Sequence, residues 1–208
     1  MIDLLKELLA MPKDVSLGWL LITVLVTGFL GGLVSQSVTF LTRYFTRPKL
    51  RFEVGSTAPF VIQGPTDTSP TGSTWIRIRV ENKGWRNAES CRVYLTDVFK
   101  EGRQEPILKQ DAMMLGASSG GDSGAYEPIT ISRKFGRFWD IADTRGRDEL
   151  HVTSQEFVYR NTTQAPLPIG TYDFWLAASG TNFNPVTIGI KVKFAGANAP
   201  ICVSSYRR

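Results

Sequence analysis

The sequence predicts an all-β domain, an antiparallel sandwich or small barrel, behind one N-terminal transmembrane helix. Two observations support this fold class. Residues 15–42 contain no charged side chain. From Pro48 onward, short alternating segments are separated by clusters of turn residues, with almost no helical periodicity. The length of 208 residues, 42% of them hydrophobic, leaves room for one domain with a sizeable core and an appendage.

The uncharged segment is long enough to cross a bilayer as a helix. A helix rises about 1.5 Å per residue, so about 20 residues span the hydrocarbon core. A cleavable signal peptide has an apolar stretch of only about 7–15 residues. We therefore expect a retained signal anchor at residues 15–45, after an N-terminal tail with a short amphipathic helix at 1–14 and before a β domain at 46–208.

Basic residues near the helix ends predict the orientation of the chain. Four of them follow the apolar segment before the first acid, Glu53, whereas the two lysines before it are mixed with three acids. Lys and Arg near the helix ends favour the cytoplasmic side. The pattern therefore predicts a single-pass protein of the inner cell membrane with its C-terminal domain in the cytoplasm.

Gly28 and Gly32 lie four residues apart in the apolar segment, within GFLGG. Small residues at this spacing let two membrane helices approach closely. Because such pairs are common in membrane helices, two alternatives stay open. The helix either self-associates into a homo-oligomer through these glycines or contacts lipid alone.

Alternating segments predict the main strands of the β domain. Each places apolar residues on one face and polar residues on the other, as in an antiparallel sheet with one buried face. We expect about seven to nine short strands. Further candidate strands are residues 50–55, 107–108, 128–132, 134–142 and 150–159. The apolar faces are Ile76, Ile78 and Val80; Cys91, Val93 and Leu95; Tyr172, Phe174 and Leu176; and Ile188, Ile190, Val192 and Phe194.

The segment IRVENKGWRNAESCRVYLTDV resembles the strand–turn–strand of immunoglobulin-like binding modules of the CARDB type. Val80, Asn82, Gly84 and Ala88 match their pattern. The later LPIGTYDFWLAASGTNFNPVTIGIKVKF resembles the Gly-x-Tyr strand and final edge of the same sandwiches, and RKFGRFWDIADT resembles a segment of bacterial membrane-anchored proteins. Residues 104–150 depart from the pattern. The resemblance implies an immunoglobulin-like sandwich and no particular activity.

The stretch GGDSGAY, residues 120–126, resembles the nucleophile segment of chymotrypsin-like proteases. A serine nucleophile needs a base within hydrogen-bond reach. The one histidine of the chain, His151, follows Ser123, and Ala125 stands where those proteases have a second glycine. The surrounding Gly/Ser run is typical of a flexible loop. We therefore expect no catalytic residue and no enzymatic activity.

Metal, cofactor and nucleic-acid sites are not expected either. One histidine and two distant cysteines, Cys91 and Cys202, cannot form a clustered nitrogen and sulfur metal site. No Gly-rich phosphate loop or dinucleotide fingerprint is present in the sequence. The net charge of +5 is smaller than a nucleic-acid binder normally shows. The two cysteines leave free thiols and one disulfide open as alternatives.

The segment SRKFGRFWDIADTRGR alternates basic and aromatic residues. Arginine beside aromatic rings can clamp a phosphate or stack on a base, and it can face anionic lipid. The alternative is that the aromatic rings fill the core while the arginines are solvated. The candidate residues for ligand or partner binding are Arg133, Lys134, Arg137, Trp139, Arg145 and Arg147.

Three functions from different classes are consistent with these features. The leading hypothesis is a non-enzymatic, membrane-anchored binding module that contacts the bilayer and a protein partner. The alternative is a ligand-sensing membrane effector of the antiphage type, with a β-barrel sensor, that oligomerises through its transmembrane helix. The third, a hydrolase, needs Ser123 or a carboxylate pair.

Overall fold

The structure, a computed structural model, describes residues 17–66, 69–107, 112–118, 125–145, 147–154, 166–196 and 199–206. The tail at 1–14, the loop around Ser123 and the C-terminal half of the strand predicted at 150–159 lie outside the described residues. By internal contacts the chain divides into two compact units, residues 1–46 and 47–208.

The first unit contains helix α1, Leu17–Thr46, of 30 residues. Its part from Ile22 to Thr46 has a mean hydropathy of 1.7 and is the one helix in the described ranges long and apolar enough to cross a membrane. Threonine hydroxyls along it donate to carbonyls one turn earlier, as Thr39 does to Ser35 at 2.9 Å, so these polar groups are satisfied within the helix. Pro48 then prevents helical continuation. The expected N-terminal apolar helix is confirmed.

The β unit contains two antiparallel six-stranded sheets among its described residues. In the first sheet the order is β1-β3-β7-β8-β9, and β2 also pairs with β3. Its strands are β1 Leu50–Glu53, β2 Val61–Thr66, β3 Ser69–Asn82, β7 Gly136–Asp143, β8 Glu149–Val152 and β9 Leu167–Pro168.

The second sheet has the order β12-β11-β10-β4-β5, and β6 also pairs with β4. The antiparallel β fold expected from the sequence is confirmed at this level. Its strands are β4 Ala88–Lys100, β5 Met113–Met114, β6 Ile129–Ile131, β10 Gly170–Ser179, β11 Val186–Phe194 and β12 Cys202–Tyr206.

Both sheets bury their apolar faces in one hydrophobic core. The alternating sets in β3, β4 and β10 are buried as expected, and in β11 Ile190, Val192 and Phe194 are buried while Ile188 packs at the margin. The largest wholly buried side chains include Trp139 of the first sheet and Phe174 of the second. Burial of such aromatic rings stabilises each sheet by roughly 25 cal/mol per Å² of apolar surface.

Several strand boundaries differ from those expected. The strand expected at 134–142 begins at Gly136, because Lys134 has a positive φ of 63° and belongs to a turn. Ile107 lies outside any strand, and the strand expected at 50–55 ends at Glu53. The edge strands β2 and β12 were missed, because edge segments such as CVSSY lack a clean alternation of apolar and polar residues.

The directions of the strands define two ends of the β unit. The four loops 47–49, 83–87, 132–135 and 180–185 meet at one end, since Lys83 N–H donates to Lys49, Lys134 N–H to Asn82, and Thr181 N–H to Glu89. We call this the anchor end, because residue 47 follows the last residue of α1. The loops 101–107 and 144–148 lie at the opposite ends of β4 and β7, which we call the far end.

Asn82 joins two of these loops, 47–49 and 83–87, to strand β6 through its wholly buried side-chain amide. The amide NH2 donates to the carbonyls of Arg86 at 2.7 Å and Ile131 at 3.1 Å. The amide oxygen accepts from the N–H groups of Gly84 at 2.9 Å and Lys49 at 3.3 Å. All four hydrogen-bonding positions of the amide are therefore satisfied.

Replacing Asn82 with alanine should destabilise the β unit strongly. Two buried carbonyls and two N–H groups would lose their partner, and we expect a loss of about 3 kcal/mol in the free energy of unfolding. Urea unfolding of the full chain in detergent, followed by near-ultraviolet circular dichroism, measures this loss. The matched control is Asn184→Ala, since exposed Asn184 makes no side-chain hydrogen bond to another described residue. Equal stability of the two variants would contradict the assignment.

Candidate interaction surfaces

The structure separates the basic residues that the sequence placed in one segment. Arg133, Lys134 and Arg137 lie at the anchor end, whereas Arg145 and Arg147 follow β7 at the far end. Because a strand rises about 3.3 Å per residue, the eight residues of β7 hold the two groups roughly 20–25 Å apart. A ligand of ordinary size therefore cannot contact both groups at once, and binding at either group stays a prediction.

The aromatic residues of the same segment have divergent environments. Trp139 is 2% exposed, so this ring belongs to the core, which is the alternative in which the aromatic rings of the segment are buried. Phe138 is half-buried and packs edge-on against Phe60, with ring centroids 5.8 Å apart. Phe135, in contrast, is 68% exposed at the anchor end. Alternation along β7 explains the difference between Phe138 and Trp139, because successive side chains point to opposite faces. Phe135 is exposed because it precedes the strand and belongs to the turn at Lys134.

Arg145 at the far end lies beside a buried acid. Its Nε is 3.5 Å from Asp143 Oδ1, and the Asp143 side chain is 6% exposed. Burial raises the pKa of the Asp143 carboxyl above its ordinary value, even though the Arg145 charge acts in the opposite direction. His151 lies across the strand pair from Asp143, and burial lowers its pKa. The far-end Arg145 therefore offsets a local buried charge.

The anchor end concentrates positive charge. Its four loops contain six basic residues and no acid, whereas the described residues of the two far-end loops contain three of each sign. One of the six, Lys83, is paired with Glu81 of β3 at 2.5 Å. The basic residues are Arg47, Lys49, Lys83, Arg86, Arg133 and Lys134.

Trp85 and Arg133 connect two of the anchor-end loops. Trp85 is 64% exposed, and the Arg133 guanidinium lies 4.0 Å above the centre of its ring. A cation–π contact at such an exposed site contributes about 0.5–1 kcal/mol. Arg133 N–H also donates to the Asn87 side chain at 3.3 Å. The two loops thus present an aromatic ring and a guanidinium together.

Arg137 and Phe135 line a shallow cavity of about 320 Å³ beside β6. Thr130 and Ser132 add hydroxyl groups to its wall. This cavity contains no residue from the far end, so Arg145 and Arg147 do not contribute to it.

A second concave surface lies between the edges of the two sheets. This edge groove has a volume of about 410 Å³ and is open to solvent. Leu50 and Phe52 of β1 and Ile188 of β11 supply the apolar wall of the groove. Its basic lining residues are Lys49, Arg51 and Lys83. No acid is among its lining residues, which are Lys49, Leu50, Arg51, Phe52, Lys83, Val186, Thr187, Ile188, Ser205 and Tyr206.

The edge strand β12 turns backbone groups towards this region. The Ser56 hydroxyl accepts from Val203 N–H at 2.7 Å and donates to Val203 C=O at 3.0 Å. Both backbone groups of Val203 therefore point away from β11, and alternation in an antiparallel ladder directs those of Ser205 to the same outer side. Ser205 lines the edge groove, so the groove offers a strand edge as well as side chains.

No group of three or more His, Cys, Asp or Glu residues in the described part of the chain is placed to hold a metal ion. His151 Nε2 is 3.9 Å from Glu149, and Ser123 lies outside the described residues. Cys91 and Cys202 are both free thiols, the first buried and the second exposed.

Comparison with known proteins adds no family assignment. No protein-family model matches the chain, and a search of curated proteins found no match.

Replacing Asp143 with asparagine should stabilise the protein at neutral pH and have little effect in acid. A raised pKa means that the folded state binds the proton more tightly than the unfolded state. Ionisation of the Asp143 carboxyl therefore lowers the free energy of unfolding as pH rises from the ordinary pKa of 3.8 to the raised pKa of the folded state. This loss of stability persists at every higher pH. Thermal unfolding of both proteins in detergent between pH 3.5 and 7.5 measures this.

The difference in Tm between Asp143→Asn and the parent should grow with pH and then level off. Arg103→Gln, a substitution at an exposed far-end residue, serves as the control and should give a flat difference. A Tm difference for Asp143→Asn that does not change with pH would show that the carboxyl is not destabilised by burial.

Proposed function

We propose that this protein is a non-enzymatic interaction module that α1 holds at a membrane, and that the edge groove of its β unit binds an extended acidic segment of a partner protein. The edge groove is the observation that carries the proposal. It combines an apolar wall, an outer strand edge at Ser205 and basic side chains without an acid among the lining residues. Extended peptides add to exposed sheet edges by main-chain hydrogen bonds, and side-chain pockets provide specificity.

Charge favours an acidic segment as the occupant. Lys83 is already neutralised by Glu81. Lys49 and Arg51 are exposed and form no salt bridge with another residue that the structure describes. A carboxylate placed beside these two cations would gain charge-assisted hydrogen bonds, and arginine can make two in parallel. Complementary charge also steers the encounter of the two partners.

Membrane attachment is proposed from α1. Its 30 residues span about 45 Å, which matches the thickness of a bilayer with its headgroups. We further propose the inner cell membrane, with the β unit in the cytoplasm, because the basic residues after the helix favour that side. Gly28 and Gly32 remain the proposed contact of a homo-oligomer, and the space around their Cα atoms is open, with no other described atom where a Cβ would lie.

An immunoglobulin-like sandwich of the CARDB type is the proposed fold assignment. The four residues that carry the resemblance have structural roles consistent with it. Val80 and Ala88 are wholly buried, and Asn82 joins two loops to strand β6. A Cβ on Gly84 would lie 2.5 Å from the Lys49 nitrogen, so only glycine fits there. The alternative, a ligand-sensing effector of the antiphage type, is less well supported. It requires Arg137 and Arg145 to bind one ligand together, and these residues lie at opposite ends of β7.

The orientation can be tested with the native cysteines. Cys202 is exposed, whereas Cys91 is buried, and burial raises the pKa of its thiol to about 11. A membrane-impermeant maleimide should therefore label Cys202 alone. We expect no labelling in intact bacterial spheroplasts and full labelling after detergent permeabilisation. Labelling before permeabilisation would place the β unit outside, and Cys202→Ser controls for the site.

The edge groove can be tested with a defined peptide. A fluorescein-labelled octapeptide that alternates Val and Glu should bind the full chain in zwitterionic nanodiscs, measured by anisotropy, and the Val/Lys counterpart should not. Arg51→Glu should weaken binding about tenfold or more, equivalent to about 1.4 kcal/mol. Lys193→Glu makes the same charge change at the other end of β11 and should have little effect. Equal binding of both peptides would refute the proposed occupant.

A further inference from the structure

We propose that the anchor end of the β unit is a second binding surface, which contacts the anionic lipid headgroups of the membrane that α1 crosses. The inference rests on the membrane attachment in the proposed function but not on the edge groove. The contact surface, here called the Trp85 face, consists of the loops 83–87 and 132–135.

The loop 83–87 of this face packs on residues that directly follow the membrane-spanning helix in the chain. Arg47, the first residue of the β unit, is peptide-bonded to Thr46, the last residue of α1. The loop 83–87 packs directly on the residues that follow, since Lys83 N–H donates to Lys49 at 2.8 Å and Gly84 N–H shares the Asn82 amide oxygen with Lys49 N–H. The Trp85 face is therefore hydrogen-bonded to Lys49, which follows the last residue of α1 by three positions.

The exposed aromatic residues mark the same face. Outside α1, the exposed large hydrophobic residues in the described ranges are Trp85 at 64%, Phe135 at 68% and Ile169 at 52%. Two of these three lie on the Trp85 face. Tryptophan is enriched at membrane–water interfaces, where its ring packs on acyl chains while its N–H stays hydrated. Exposure of both rings in water has a cost that insertion at headgroup depth removes.

Of the four cations on this face, Lys83 is paired with Glu81, and the other three have no acidic partner among the described residues. Arg86, Arg133 and Lys134 are exposed, and none of them forms a salt bridge with another residue in the described ranges. Anionic lipids attract such juxtamembrane basic clusters. The far-end loops 101–107 and 144–148, whose described residues are balanced in charge, offer no comparable attraction.

The backbone of the loop 132–135 holds Lys134 at the surface in a conformation that is unfavourable for a residue other than glycine. Lys134 has a φ of 63°, in the left-handed region that favours glycine. Its N–H donates to Asn82 C=O at 2.8 Å, and Phe135 N–H closes the turn on Ser132 C=O at 3.1 Å. The turn thus places Arg133, Lys134 and Phe135 consecutively at the surface, which suits a face that combines charge with an inserting ring.

Spin labels at two matched positions test the inference on the full chain. In a Cys202→Ser background, one label replaces Phe135 and the other replaces Ile169, the exposed apolar residue of the far end. The chain is reconstituted in phosphatidylcholine vesicles with or without about one third phosphatidylglycerol, a fraction chosen to give a negative surface potential. Collision with oxygen and with a nickel chelate then reports the depth of each label.

We expect the label at 135 to lie at headgroup depth in the anionic vesicles and to be nearer to water in the neutral ones. The label at 169 should be aqueous in both. Arg133→Glu with Lys134→Glu should return the label at 135 to aqueous values, as should high salt. Arg103→Glu with Arg147→Glu, the same change at exposed far-end residues, should not.

Two outcomes would overturn the inference. A label at 135 that is aqueous in both vesicles, in a chain that resists carbonate extraction, refutes the headgroup contact and leaves the membrane attachment intact. Equal depth in both vesicles refutes the anionic component. Carbonate extraction of the chain would instead refute the membrane attachment itself. Quenching by brominated lipid that is lost in Trp85→Phe supports the contact independently of the labelled cysteine.

Discussion

The side-chain amide of Asn82 is the interaction on which the organisation of the anchor end depends. Its buried position requires that both donors and both acceptor sites find partners, and they do so in the β1 entry, the β3–β4 turn and β6. One polar group therefore determines how the chain that leaves α1 is joined to both sheets. The absence of a Cβ at Gly84 allows the backbones to approach closely enough for these bonds.

This arrangement determines where charge can be displayed. Among the cations of the loops that meet around Asn82, Lys83 pairs with Glu81, whereas Arg86, Arg133 and Lys134 are exposed and form no salt bridge with another described residue. The far end differs, because Arg145 Nε lies 3.5 Å from the buried carboxyl of Asp143. The same residue type thus lies exposed at one end and beside a buried carboxyl at the other. Distance along β7 keeps the two environments separate.

The edge groove and the Trp85 face are neighbouring but chemically distinct. The groove has an apolar wall, a strand edge and two cations, Lys49 and Arg51, that form no salt bridge with another described residue. These features suit an extended peptide. The Trp85 face has exposed rings and cations on convex loops, which suit a lipid surface. Lys49 belongs to the groove and to the anchor end at once.

The sequence alone determined the apolar helix, the antiparallel β class and most of the buried residues, because these depend on local periodicity. Ile76, Ile78 and Val80 are buried for the reason that their alternation predicts. The sequence could not show that Arg137 and Arg145 lie apart, that Trp139 is buried, or that Trp85 meets Arg133. Those facts depend on strand direction and on pairing between residues far apart in the chain, such as Asn82 with Ile131. Only the tertiary structure decided them, because long-range pairing selects which face of each strand meets the core and which loops share an end.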